Sequence, residues 1–145
     1  MPNACDIAQY ILEKHGEMSA IKLQKLVYYC QAWTLAWDGR PLFEDEIQAW
    51  ANGPVVPSLY EKHRRQLIVK PEQNIGDASQ LTAADIENVS IVMDEYIDKA
   101  PFWLVELTHL EQPWKDARGD CPPGHICTNV IHHADMAEYY SGLIK

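Results

Sequence analysis

The segment between Ser19 and Gly39 constrains the fold of this chain more than any other. Leu23, Leu26, Val27, Cys30, Trp33 and Trp37 recur there at spacings of three and four. That period puts them on one helix stripe. Ser19 offers a hydroxyl to cap the first turn, and Asp38-Gly39 with Pro41 stops the helix. Two tryptophans on the stripe mark it as the core helix, with Lys22, Lys25 and Gln31 expected to face outward.

Other helices can be read around it. Asn3 caps a first helix with Asp6 in its opening turn, Ile7, Ile11 and Leu12 on its stripe, and Gly16 at its end. Thr82 and Asp85 form a capping-box pair before Ile86, Val89, Met93, Tyr96 and Ile97. Phe102, Trp103, Leu104, Leu107 and Leu110 continue as a fifth helix, broken at Gln112-Pro113. A final helix puts Ile131, Asp135 or Met136, and Tyr139 or Tyr140 on one side. Trp33, Trp37 and Tyr96 read as core. Alternating strand patterns are nearly absent. The expectation is a mainly α-helical, compact bundle of about six helices with room for a short β-hairpin. The 145 residues, 47% of them hydrophobic, suit a single domain over 1–145 with a core that needs no staples.

The least regular stretch is WANGPVVPSLY, residues 50–60. The preceding LFEDEIQAWANG reads equally well as a short helix or as a strand turning at Gly53. Pro54 is expected in the first turn of a third helix, where a missing N–H costs nothing, and Pro57 is tolerable if that helix starts at Val55 or Val56. Leu59, Tyr60 and His63 would line its inner side. Gly53 would supply a positive φ or a close backbone approach. Trp50 with Leu59 or Tyr60 would anchor a rigid corner. The competing reading makes the same aromatics a surface for a partner.

Charge narrows the function. The net charge is −9, which argues against a general binder of nucleic acid or membrane surfaces. Residues 72–120 hold eleven acidic side chains against three basic ones. The one basic run, Lys62, Arg64 and Arg65, is either a solvated face or a patch that speeds capture of an acidic partner. No leader or membrane-spanning pattern is present, so the expected compartment is the cytoplasm, where all four cysteines stay reduced.

Motifs for catalysis are missing: no glycine-rich phosphate loop, no nucleophile elbow, no zincin helix. Cys121, His125, Cys127 and His132 or His133 could in principle hold zinc. Their spacing is not that of a zinc knuckle, and free thiols with surface histidines are the favoured reading. Thr108, His109 and Glu111 put a hydroxyl, an imidazole and a carboxylate close in sequence. Two apart on a helix, His109 and Glu111 point different ways. Thr108 can bond back to its own helix, so a structural helix end above Trp114 is favoured. No catalytic residue, metal or cofactor is expected.

Four blocks of the chain, taken together and in order, resemble the SocA-like antitoxin family, also called the Panacea domain. The first is the Lys-Leu-x-Lys-Leu-x-Tyr-Tyr helix at Lys22, Leu23, Lys25, Leu26, Tyr28 and Tyr29. The second is Pro41-Leu42-Phe43. The third is Ala49, Trp50, Gly53, Pro54 and Val55, followed by Tyr60. The fourth is Thr108, His109, Glu111, Pro113 and Trp114, and a tyrosine pair at Tyr139-Tyr140 closes the pattern. The resemblance implies a bacterial or prophage-borne antitoxin that neutralises a protein toxin by direct binding. One branch of the family delivers its toxin to a cytoplasmic protease. It implies no enzymatic activity, and it assigns no toxin-contacting residues. Lys62, Arg64, Arg65, Trp50 and Tyr60 are the candidate partner-binding residues. Gly53, Pro54, Val55, Thr108, His109, Glu111, Pro113 and Trp114 read as structural. The alternatives are a DNA-binding regulator using the basic run and a small enzyme using His109 and Glu111.

Overall fold

Residues Ala20–Asp38 form the helix, α2, around which the remaining chain is arranged. The computed structural model describes residues 1–144. Before α2 come α1 (Ala4–His15) and β1 (Met18–Ser19); after it come β2 (Gln48–Trp50), β3 (Gly53–Val55), α3 (Pro57–His63) and β4 (Ile68–Val69). Four helices complete the chain: α4 (Ala83–Tyr96), α5 (Pro101–Leu110), α6 (Gln112–Arg118) and α7 (His133–Ser141). The strands pair only as short antiparallel couples, β1 with β4 and β2 with β3, so the protein is mainly α-helical. One buried cluster draws side chains from Ala4 through Tyr140.

The caps form as read. The Asn3 side chain accepts from the Asp6 amide, and Asp6 accepts in return from Asn3 N, both at 2.9 Å. Thr82 and Asp85 close the same reciprocal box. Ser19 Oγ accepts from Lys22 N at 3.1 Å. Each satisfies amides that the first helical turn cannot pair internally.

The orientation of α2 departs from expectation. It is covered by α1, α3, α4, α5 and α7 and by the β3 strand, so almost no face is left for solvent. A one-sided stripe describes a surface helix and under-describes one enclosed on all sides. Lys25 and Gln31 are therefore buried, not outward-facing. Lys22 is half-buried and donates from Nζ to the Ile97 carbonyl. Gln31 ties down the Pro-Leu-Phe turn: its Oε1 accepts from Leu42 N at 2.7 Å, and its Nε2 donates to Phe43 O at 2.6 Å. Trp33 is half-buried, with its indole N–H on the Tyr96 hydroxyl at 3.0 Å. Trp37, at the open end of α2, stacks on Trp33 and stays exposed rather than in the core.

The ambiguous segment before Gly53 is a strand. Gln48, Ala49 and Trp50 pair with Val55, Pro54 and Gly53 across an Ala51-Asn52 turn. Gly53 has φ +114°, the positive value its position requires. Pro54 lies in β3, not in a helical first turn. It is tolerated because the two-stranded couple leaves its missing N–H at an edge. Pro57 takes the first-turn place instead, in a helix that ends at His63 and leaves Arg64 and Arg65 beyond it. A second revision concerns Pro113. Glu111 is extended (φ −95°, ψ 142°) and separates α5 from α6, whose first turn holds Pro113 without losing a helical hydrogen bond. Seven α-helices are thus present among the described residues, one more than expected.

Candidate functional site

Three of the sequence blocks converge on one amine. Lys25 leaves α2 and is 2% exposed. Its Nζ donates to the Pro54 carbonyl at 3.0 Å, the one hydrogen bond it makes among the described residues, although an ammonium carries three donors. A Cβ built on Gly53 would lie 2.6 Å from Lys25 Cε and 2.8 Å from Thr108 Oγ1. Only glycine lets the hairpin approach the lysine and the α5 helix end so closely. Burial pulls the Lys25 amine down to about 7, because no carboxylate is at hand to repay its lost hydration.

Beside Lys25, Gln24 fastens α3 to α2. Its Oε1 accepts from Val56 N at 2.9 Å, which orients the amide so that Nε2 faces His63 Nε2 at 3.0 Å. The ring nitrogen accepts that bond, so His63 is neutral with its proton on Nδ1. Burial holds the His63 pKa below its ordinary value.

Above this floor opens a groove of about 670 Å³. Trp50 and Tyr60, packed edge to face at 5.0 Å, form one side. Ile21 and Leu67 form another, and Ile126 with Cys127 the lip contributed by the loop 119–129. Arg64 and Arg65 stand at its mouth. Arg65 is held at φ +69°, a left-handed conformation uncommon for a side-chain-bearing residue. No Asp or Glu lines the groove, although the chain has 21 of them.

The loop lip is anchored by Arg118, a residue that sequence patterning did not single out. It is buried and donates to the carbonyls of Pro122 (2.7 Å), His125 (3.0 Å) and Ala49 (3.3 Å). Within that loop Cys121 and Cys127 are joined as a disulfide, with Cα atoms 6.1 Å apart. This corrects the expectation that all four cysteines are reduced. The turn at Pro122–His125 folds the loop back on itself and brings the two Cβ atoms into bonding range. Cys5 and Cys30 are free and buried.

The fourth block divides in two. His109 stacks on Trp114 at 4.1 Å between ring centroids, and Trp114 donates its indole N–H to Trp50 O at 2.8 Å. His109 Nε2 is buried with no hydrogen-bond partner, and desolvation keeps the ring's pKa low. Thr108 Oγ1 bonds back to Val105 O at 2.7 Å, as its helical position suggests. Glu111 points elsewhere. Its Oε1 accepts from Tyr29 at 2.6 Å and from Tyr140 at 2.8 Å, and Tyr28 lies 3.0 Å from the Tyr140 hydroxyl. His109 and Glu111 share no hydrogen bond, and Glu111 is committed to the core.

Of the candidate partner-binding residues, Trp50, Tyr60, Arg64 and Arg65 meet around the groove, while Lys62 is exposed on α3 outside its lining. Val55 also lines it; Gly53, Pro54 and Thr108 lie beneath. Lys25 was named in a sequence block but read as a surface residue. The signal that could have placed it was its position one helical turn before Tyr28 and Tyr29, on a helix too apolar to have a wet side.

Compared with protein-family models, residues 23–115 match the family described as antitoxin SocA-like, Panacea domain. No curated protein and no solved structure matches the chain.

Proposed function

The chain belongs to the SocA-like, Panacea-domain antitoxin family, and on that premise we propose that it neutralises a toxin by binding it directly as a protein–protein complex. The observation that carries this reading is the groove. Aromatic and arginine side chains, the residue types that dominate protein interfaces, gather around it. Leu67 and Ile126 stand on its rim 87% and 93% exposed and extend the apolar lining of the groove outward, and a contiguous exposed apolar patch marks an interaction site. The net charge of −9 makes the arginine-bearing mouth the place where an acidic partner is drawn in.

The partner is the toxin encoded beside this gene, met in the cytoplasm. Co-expression with that neighbouring product tests the reading. The expected result is rescue of growth and co-purification of a stoichiometric complex; failure of both would remove the antitoxin assignment. Delivery of the toxin to a protease is a separable step. It predicts that toxin half-life shortens when this protein is present, whereas neutralisation by occlusion alone leaves the half-life unchanged or lengthened.

The enzyme alternative loses its simplest form, because His109 and Glu111 do not meet. No helix among the described residues is long and apolar enough to cross a membrane.

A further inference from the structure

Resting on the antitoxin reading, we propose that the groove receives a linear segment of the partner in which an acidic side chain is flanked by bulky apolar ones, the carboxylate reaching down to Lys25 Nζ.

Three independent observations lead there. The first is the state of the amine. Lys25 spends one donor on Pro54 O and has no carboxylate beside it, so its remaining donors have no protein partner among the described residues, although the side chain is only 2% exposed. A buried cation without a counter-ion is costly, and an incoming carboxylate supplies what is missing. The second is charge complementarity. Arg64 and Arg65 flank the entrance, no acid lines the walls, and Glu61, outside the lining, sits 3.6 Å from Arg64 on an exposed pair. In a chain this acidic, an acid-free basin is a selective attractor.

The third observation concerns the size of the occupant. The interior is walled by Trp50, Tyr60, Ile21 and Val55 and has the volume of an ordinary small-ligand pocket. Its apolar surface, however, continues over the lip to Ile126 and Leu67, both almost fully exposed. A small carboxylate buried inside would leave those two side chains in water, whereas a polypeptide crossing the groove covers them. The other charged or titratable groups facing this region are His63 on α3, His109 on α5 and Arg118 on α6. His63 and Arg118 are already committed to Gln24 and to backbone carbonyls, and His109, whose Nε2 has no partner, lies outside the lining of the groove, which leaves Lys25 as the receptor.

Random linear peptides displayed on phage and selected on the full chain test the proposal. The expected sequences carry Glu or Asp beside Leu, Ile, Phe or Trp. A synthetic selected peptide should bind the parent. Changing its acid to the amide, or Lys25→Met in the protein, should weaken binding by roughly thirtyfold or more. Ile126→Glu, on an exposed position that does not affect folding, should weaken it as well and stands in should Lys25→Met fail to fold. No enrichment, enrichment without an acidic preference, or equal binding to Lys25→Met would overturn the proposal. Saturable binding of decanoate with no peptide selected would also overturn it and make the groove a small-molecule site. The toxin separates this inference from the one beneath it. If the parent, Lys25→Met and Ile126→Glu all capture toxin equally, the groove assignment falls and the antitoxin reading stands. If selected peptides bind the groove but the parent captures no toxin, the reverse holds.

Discussion

Lys25 and Glu111 are two buried ionisable groups, both drawn from the shared sequence blocks, and the protein treats them oppositely. Glu111 is fully committed: two tyrosine hydroxyls donate to one oxygen, and the surrounding rings of Tyr28, Tyr29 and Tyr140 pack edge to face. Lys25 has one carbonyl and an open groove beside it. Both suffer desolvation, which raises the Glu111 pKa and lowers that of Lys25, yet Glu111 recovers two hydrogen bonds in exchange and Lys25 only one. A polar group that is satisfied inside a core specifies the fold. One left short of partners next to a cavity is, on the proposal above, free to meet a ligand. The contrast separates a committed group from an uncommitted one within a motif set whose members look alike in the sequence.

The largest expected effect breaks the floor of the groove. Gly53→Val meets both the positive φ and the contacts with Lys25 and Thr108, and should cost roughly 2–5 kcal/mol in denaturant melts. A parent-like melt would mean that the hairpin relaxes freely and does not pin the lysine. Next comes the committed group. Glu111→Ala leaves the Tyr29 and Tyr140 hydroxyls without their acceptor and should cost roughly 2–4 kcal/mol. Glu111→Gln keeps an acceptor oxygen in place and should melt close to the parent. If both variants behave alike, the carboxylate is not the organiser of the tyrosine cluster.

Lys25→Met should act in the other direction. Replacing an unmatched buried charge by an apolar side chain of similar volume should raise stability by roughly 1–4 kcal/mol at neutral pH. The pH dependence is distinctive. Lys25 titrates near 7 when folded and near 10.4 when unfolded. Between those values the unfolded chain binds a proton that the folded chain does not, so folding stability rises with pH. Below about 7 both states are protonated, and the relief is lost. Buried thiols and phenols oppose the trend once cysteines begin to ionise near 8.5, since Cys5 is itself pushed up to about 11. Melting temperature should therefore climb between about pH 7 and 8.5 in the parent and climb less in Lys25→Met. A parallel rise in both proteins would show that Lys25 is paired in solution.

Trp50 lies between the two categories. It is half-buried, bonded through Nε1 to Gln48 at 2.9 Å, and its carbonyl holds Trp114. Trp50→Ala should cost roughly 1–3 kcal/mol, less than a fully enclosed tryptophan, and should impair partner capture beyond what its stability loss explains. Capture unchanged at matched stability would make it a corner residue alone. Smallest of all is the effect on folding of reversing Arg64 and Arg65 to Glu, which should leave the melt unchanged. That variant should slow association with an acidic partner and flatten its salt dependence; an unaltered rate at low salt would reduce the pair to a solvated rim.

Local rules carried the reading a long way. Asn3, Ser19 and Thr82 each needed only the amides of their own first turn to become caps, so their roles were visible in a few adjacent letters. The positive φ at Gly53 and the back-bonded Thr108 were legible for the same reason, and the long α2 stripe announced a helical protein. The family blocks could be recognised in order without any contact being known. Tertiary structure alone decided which way Lys25 and Gln31 point, because that depends on how many neighbours enclose α2, not on the period of its own residues. It also decided that Pro54 joins a strand while Pro57 opens the helix, since the pairing partner of β3 lies on another segment. The disulfide, the clamp made by Arg118 and the meeting of Lys25, Gly53 and Thr108 beneath an acid-free groove bring together residues far apart or unpatterned in the chain. Periodicity reports the face a residue shares with its near neighbours in sequence; only packing says what that face meets.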